Sequence, residues 1–139
     1  MAVRRVEDWT DELIAELVEL YRATWWTAGR TPADVRRMLE GSDVVIGFQA
    51  EADERLIAFA RALSDGVYKA LVFDVIVTEA WQGTGLGRRL IDAVLAHPRV
   101  ASVRHVELYC RAEMLPFYDR WDFADTRDEM HLLRRQQNP

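Results

Sequence analysis

Apolar residues recur along this chain in two rhythms, and where the rhythm changes, an element begins or ends. Val3 to Val6 is short and alternating enough for a first strand. Thr10-Asp11-Glu12 opens a helix with the acidic first turn that a helix dipole favours, and Leu13, Ile14, Leu17, Val18 and Tyr21 form its apolar stripe. Thr31-Pro32-Ala33-Asp34 starts a second helix, with Thr as cap and Pro at the first helical position. Its apolar face is Val35, Met38 and Leu39, and Gly41 ends it. Val44–Phe48 and Leu56–Leu63 read as strands joined by the acidic turn Glu51–Glu54, and Asp65-Gly66 turns the chain into a central strand, Val72–Val77. A glycine-rich turn, Gln82 to Arg89, then opens a helix running to Ala96. Val103–Tyr109 predicts a strand parallel to the central one, since a helical crossover joins them. A helix over Glu113–Arg120 and a closing strand around Glu129–Leu133 complete the pattern, with a polar tail from Arg134.

The central strand and the turn after it carry the candidate chemistry. Gly83, Gly85 and Gly87 can take positive φ and have no Cβ, so successive backbone N–H groups can converge on one point. That point lies at the positive end of a helix dipole, where Arg88 and Arg89 add full charges. Such a turn suits a phosphate or pyrophosphate. A P-loop would need Lys then Ser or Thr where Arg88-Arg89 stand. The dinucleotide fingerprint started at Gly83 would need glycine at Arg88. A plain strand-to-helix turn, tightened by glycine, is the bland alternative.

Composition narrows the classes. The chain has 139 residues, half of them hydrophobic, which suits a single domain over 1–139. A net charge of −5 excludes a general nucleic-acid binder, which needs a basic face. One Cys and three scattered His give no disulfide within the chain and no metal-ligand cluster. No apolar run approaches the ~18 residues of a membrane span, and the N-terminus lacks an apolar signal core. The expectation is therefore no membrane, no metal and a cytoplasmic protein.

Gln82-x-x-Gly85-x-Gly87 after an apolar strand resembles the acetyl-CoA-binding motif Q/R-x-x-G-x-G/A of the GNAT superfamily of N-acyltransferases. The element order β-α-α-β-β-β-α-β-α-β is similar to that fold. A second block, Met114 to Phe123, is similar to the family's last motif, in which a helix carries Phe-Tyr and Gly-Phe closes it. Here Asp122 stands at the glycine, a residue that tolerates the left-handed conformation better than most. The resemblance implies a mixed α/β fold: a mostly antiparallel sheet with one splayed parallel pair, flanked by about four helices.

It also implies acetyl transfer from acetyl-CoA to a primary amine, of a small molecule or a peptide terminus, in a ternary complex. Val75, Ile76 and Val77 would meet the pantetheine arm through their backbone. Gln82, Gly83, Thr84, Gly85, Leu86, Gly87 and Arg88 would hold the pyrophosphate, and Phe117 would also face the cofactor. Tyr118 matches the tyrosine that protonates the leaving thiolate, although a helix tyrosine packed beside Phe117 would look the same. Trp25, Trp26 and Arg30 lie in the loop that lines the family's acceptor pocket, where aromatic walls suit an amine cation, although a tryptophan there can equally be core.

The base is read from the residues instead. Asp74 is an acid inside an apolar strand, where a lone buried charge is costly and often functional. A structural carboxylate bonded to backbone N–H groups is its alternative, and Glu107, His105 or a water chain are the runners-up. Cys110 reads as a small buried residue. A catalytically weak CoA-binding sensor and a nucleotide-binding module remain the competing functions, and a second copy of the chain is a possible partner.

Overall fold

A computed structural model describes residues 2–24 and 26–138. The chain forms two compact units, residues 1–108 and 109–139.

The first unit holds a five-stranded sheet in the order of the chain: β1 (Val3–Arg5), β2 (Val44–Ala50), β3 (Leu56–Ser64), β4 (Lys69–Val77) and β5 (His105–Leu108). The first three pairings are antiparallel, while β4 and β5 run parallel, as the crossover requires. Helices α1 (Asp11–Arg22) and α2 (Pro32–Glu40) start where the sequence predicts. Thr10 and Thr31 each accept a hydrogen bond from the backbone N–H three residues on. Their apolar stripes, with Phe59 and Ile76 from the sheet, make one core layer. The opposite face, rich in the alanines of β3 (Ala58, Ala60, Ala62), packs against α3 (Leu86–Ala96) through Leu86, Leu90 and Val94. Small residues on that face let the helix approach the sheet closely. The short helix α4 (Pro98–Ala101) follows α3, and its Val100 is buried in the same layer.

One irregularity in β4 governs the site. Phe59 opposes Ile76 and Arg61 opposes Phe73, so Asp74 and Val75 together face the single residue Ala60. This is a β-bulge, and Asp74 takes a left-handed φ of 57° in it. The spacing shows its effect. Val72 and Ile76 are an even number of residues apart and would share a face of a regular strand. Instead Val72 packs on the α3 layer and Ile76 on the α1–α2 layer. Pairing of β4 with β5 covers only Lys69–Val72, so β4 from Phe73 to Val77 has no ladder partner on that side.

In the second unit the expected helix over Glu113–Arg120 is broken up. A 3-10 turn at Ala112–Met114 leads into α5 (Leu115–Tyr118), and a second 3-10 turn runs over Asp119–Trp121. Pro116 explains the break, since it has no N–H to extend a helix begun upstream. Asp122 closes the run in the left-handed conformation, φ 63° and ψ 25°, as its side chain allows. The closing strand expected around Glu129–Leu133 is not formed. Its apolar residues Met130, Leu132 and Leu133 are exposed, and a strand without a pairing partner has no means of satisfying its backbone.

Candidate active site

The glycine-rich turn is built as a cradle. After β4, a 3-10 turn at Glu79–Trp81 leads to Gly83 with φ 76° and to Gly85 with φ 86°, the residue that caps α3. A Cβ on either glycine would meet nothing within 4 Å, so backbone conformation demands glycine here and the space above it is open. Helices α1 and α2 have side-chain caps and acidic first turns. The start of α3 has neither, which leaves its first N–H groups and its dipole directed at solvent. Gln82 Nε2 donates to the Val77 carbonyl at 3.1 Å and Thr84 Oγ1 to the Trp81 carbonyl at 2.5 Å, tying the turn to the end of β4. Leu86 is buried and anchors the helix, Gly87 lies in its first turn, and Arg88 is exposed. Between turn and strand, the Thr78 hydroxyl is buried and unpartnered among the described residues.

The open edge of β4 runs directly into this turn. Val75 and Val77 are half-buried and Ile76 is buried, so their side chains belong to the core and only their backbone is offered.

Asp74 sits at the centre of a charged cluster. Its Oδ2 accepts from Arg30 Nη1 at 2.7 Å, from Arg61 Nε at 2.8 Å and from the Tyr21 hydroxyl at 3.1 Å. Its Oδ1 accepts from Arg30 Nη2 at 3.4 Å. The Asp74 side chain is only 5% exposed. Burial alone would raise its pKa, but hydrogen bonds and charge from Arg30 and Arg61 outweigh that, and the carboxyl lies below its usual range. Burial, then the neighbouring Asp74 carboxylate, pushes the Tyr21 phenol well above its ordinary value, so it stays a neutral donor. Arg30 also stacks over the Tyr21 ring at 4.4 Å, and Arg61 over Phe73 at 4.6 Å.

The same arginines, with Asp34, Val35 and Met38, line a cleft of about 220 Å³. Of the three residues expected to line an acceptor pocket, Arg30 reaches the cleft, Trp26 is about half exposed, and Trp25 lies outside the described residues. The runners-up for base stand elsewhere: Glu107 pairs with Lys69 at 3.0 Å, and His105 is exposed.

In the second unit Tyr118 is buried, with ring contacts to Phe117 at 5.0 Å, Phe123 at 5.8 Å and Trp121 at 6.4 Å. Burial, and then Cys110, pushes its phenol up to about 12. Cys110 itself is exposed, not buried as its sequence context suggests, because β5 stops at Leu108. Its thiol is raised, by desolvation first and then by Asp125 and Glu113, so nothing activates it. Among the described residues no group of His, Cys, Asp or Glu could hold a metal ion, and no helix is long and apolar enough to cross a membrane.

The profile of the acetyltransferase (GNAT) family matches residues 7–123. The chain belongs to this family. GCN5-related N-acetyltransferase 1 of Arabidopsis thaliana, a chloroplastic protein, is 30% identical over 112 residues, covering 78% of this chain and 57% of that one. Serotonin N-acetyltransferase 2 of rice (Oryza sativa subsp. japonica), also chloroplastic, is 39% identical over 92 residues, covering 65% and 46%. The chain thus spans about half the length of these two relatives. A GNAT-family crystal structure from Xanthomonas campestris pv. campestris superposes with a TM-score of 0.80 at 28% identity, covering 99% of this chain and 94% of that one. The GNAT fold, with its mostly antiparallel sheet and one parallel pair, is the one described above, with five helices among the described residues where about four were expected.

Sequence reasoning missed Arg61 and Tyr21. Tyr21 reads as one more apolar position of α1, and Arg61 as the polar phase of β3. The one available signal was a charge in the middle of each of two apolar strands, since buried opposite charges tend to find each other.

Proposed function

We propose that this chain transfers the acetyl group of acetyl-CoA to a primary amine, of a small molecule or a peptide terminus, by direct attack in a ternary complex. The observation that carries this reading is the open edge of β4 leading through two positive-φ glycines to an uncapped helix N-terminus. An extended arm that needs backbone hydrogen bonds, ending in a pyrophosphate, fits that sequence of features. Gly83, Gly85 and the first turn of α3 would hold the phosphates, with Arg88 free to approach them; Gln82 and Thr84 shape the turn instead of reaching outward. The relatives' names, both N-acetyltransferases and one for a primary arylalkylamine, support an amine acceptor.

When bound, acetyl-CoA supplies the activated acyl carbon. The amine lone pair forms the C–N bond as the C–S bond breaks, the nitrogen loses a proton and the thiolate gains one. Tyr118 is assigned the second proton on its motif alone. For the first proton, Asp74 is a poor base: two guanidiniums stabilise its charge, so it has little drive to accept a proton. We assign it a positioning role, fixing Arg30 and Arg61, and give deprotonation of the amine to water in the cleft.

The test is a thermal-shift comparison of acetyl-CoA, NAD and ATP, followed by CoA release with an amine panel. A ligand at 100 times its Kd stabilises by about 2.7 kcal/mol. Stabilisation by acetyl-CoA alone is expected; a shift with NAD or ATP instead would overturn the reading. Because the sequence candidates Asp74 and Glu107 are both held in ion pairs, a CoA-binding sensor is the second reading. It predicts the same thermal shift with no CoA release for any amine.

A further inference from the structure

The charges around the cleft are arranged in a way acetyl transfer alone does not require. A bare amine acceptor, positively charged in solution, would be best met by carboxylates or by aromatic faces. Here two guanidiniums, Arg30 and Arg61, converge on one carboxylate, Asp74, and the cleft's other carboxylate, Asp34, forms no ion pair with either among the described residues. Asp74 is nearly closed off, whereas both arginines line the cleft. Arg61 spends only its Nε on Asp74, and among the described residues its two terminal Nη groups make no hydrogen bond. Tyr21 adds no charge, since its phenol stays protonated. The guanidinium of Arg61 is held by Asp74 on one edge and by the Phe73 ring at 4.6 Å, so its outer edge is fixed and pre-oriented. A rigid, planar, half-used fork suits a carboxylate or phosphate oxygen pair.

A second charge completes the pattern. Asp34, in the first turn of α2, lines the same cleft with an exposed side chain. The cleft therefore offers a cation-binding carboxylate and an anion-binding fork together.

Given that the cleft is the acceptor site, a premise taken from the proposed transferase reading, we infer that the acceptor is a small primary amine that also carries an anionic group, a carboxylate or a phosphate. Arg61, helped by Arg30, determines that specificity, and Asp34 meets the ammonium end before it is deprotonated.

The experiment measures binding and turnover side by side with matched pairs, in the presence of CoA or acetyl-CoA. Tryptophan against tryptamine tests a carboxylate, and phosphoethanolamine against ethanolamine tests a phosphate. The anionic member of at least one pair is expected to bind about tenfold or more tightly, the value of one charge-assisted contact. Whichever pair shows the preference identifies carboxylate or phosphate as the anion. Arg61→Gln should reduce that preference ratio by a similar factor. Inorganic phosphate should compete with the anionic member but not with the partner that lacks the anionic group, at constant ionic strength set with sodium chloride. This competition uses the parent protein and holds even if Arg61→Gln fails to fold.

Preference for tryptamine and ethanolamine would overturn the inference, and their acetylation would leave the transferase reading standing. Selective binding of an anionic member without any CoA release would sink the transferase reading and overturn the inference as a statement about an acceptor, leaving Arg61 as the selective group of a binding cleft only. Binding of neither member of either pair, with acetyl-CoA still bound, would overturn the inference as well.

Discussion

Arg30 and Asp74, separated by 44 residues of sequence, form a two-pronged ion pair at 2.7 and 3.4 Å, with the guanidinium lying over the Tyr21 ring. The pair ties the α1–α2 connection to the bulge of β4. A loop that would otherwise be set only by its own turns is thereby fixed to the sheet.

Asp74→Asn isolates the charge in that pair, because Asn also tolerates the left-handed φ of the bulge. Removing one partner of a buried ion pair costs about 3–5 kcal/mol. The folded pKa of Asp74 is below its unfolded value of about 4, so its contribution is present above that pH. It fades as pH falls through the folded pKa. Melting curves from pH 7 to pH 2 should show parent and variant converging at the acid end. A constant gap between them at all pH values would show that the charge is not the source.

Loss of Asp74 should also leave the acidic limb of the pH–rate profile in place, since that limb belongs to the amine itself. If the limb disappears in Asp74→Asn while acetyl-CoA still binds, Asp74 is the base after all.

Gly85→Asp puts a Cβ at φ 86° and a negative charge at the uncapped start of α3. The strain costs about 1–2 kcal/mol, which the fold should survive. Acetyl-CoA affinity, measured by calorimetry, should fall by more than about tenfold, the equivalent of 1.4 kcal/mol. Gly85→Ala, carrying the strain without the charge, should lose less. Equal binding by parent and Gly85→Asp would remove the turn from the cofactor site.

Tyr118→Phe removes only a hydroxyl. A general-acid role for Tyr118 predicts that kcat falls about 10²–10⁴-fold in this variant. A purely aromatic role among Phe117, Trp121 and Phe123 predicts near-normal turnover instead. With its phenol pushed up to about 12, Tyr118 keeps its proton throughout an ordinary assay range. Any fall in kcat between pH 8 and pH 10 therefore comes from another group and should be the same in parent and Tyr118→Phe. Its loss in the variant would mean that the tyrosine titrates far lower than its surroundings dictate.

Trp26→Ala should raise the acceptor KM while leaving acetyl-CoA affinity and Tm near the parent values, because the ring is 52% exposed. Exposed positions usually change stability by less than about 0.5 kcal/mol. A large drop in Tm with an unchanged KM would mark Trp26 as a packing residue.

What the sequence discloses here follows from the range of each interaction. The β4 strand, its turn and α3 are legible because an apolar run, a row of glycines and a 3.6-residue stripe are all local signals. The caps Thr10 and Thr31 are legible for the same reason. The Asp74 cluster is not, since its partners lie 13, 44 and 53 residues away and nothing local pairs them. The bulge is hidden too: Val72 to Val77 reads as an uninterrupted strand, and only the opposite register on β3 reveals the extra residue. The expected strand around Glu129–Leu133 fails in the other direction. Alternation shows that a segment could be a strand, but not that a neighbour is there to pair with it.

The extra residue in β4 makes this strand intolerant of changes in length. Deleting Val75 would restore simple alternation and leave Val72 and Ile76 on their present layers, but Asp74 would then pair with Ala60 and face the α3 layer, away from Arg30 and Arg61. An insertion in the exposed turn Glu51–Glu54 shifts no side chain between layers. Among natural variants of this chain, length differences should therefore collect in the β2–β3 turn, while β4 keeps its residue count.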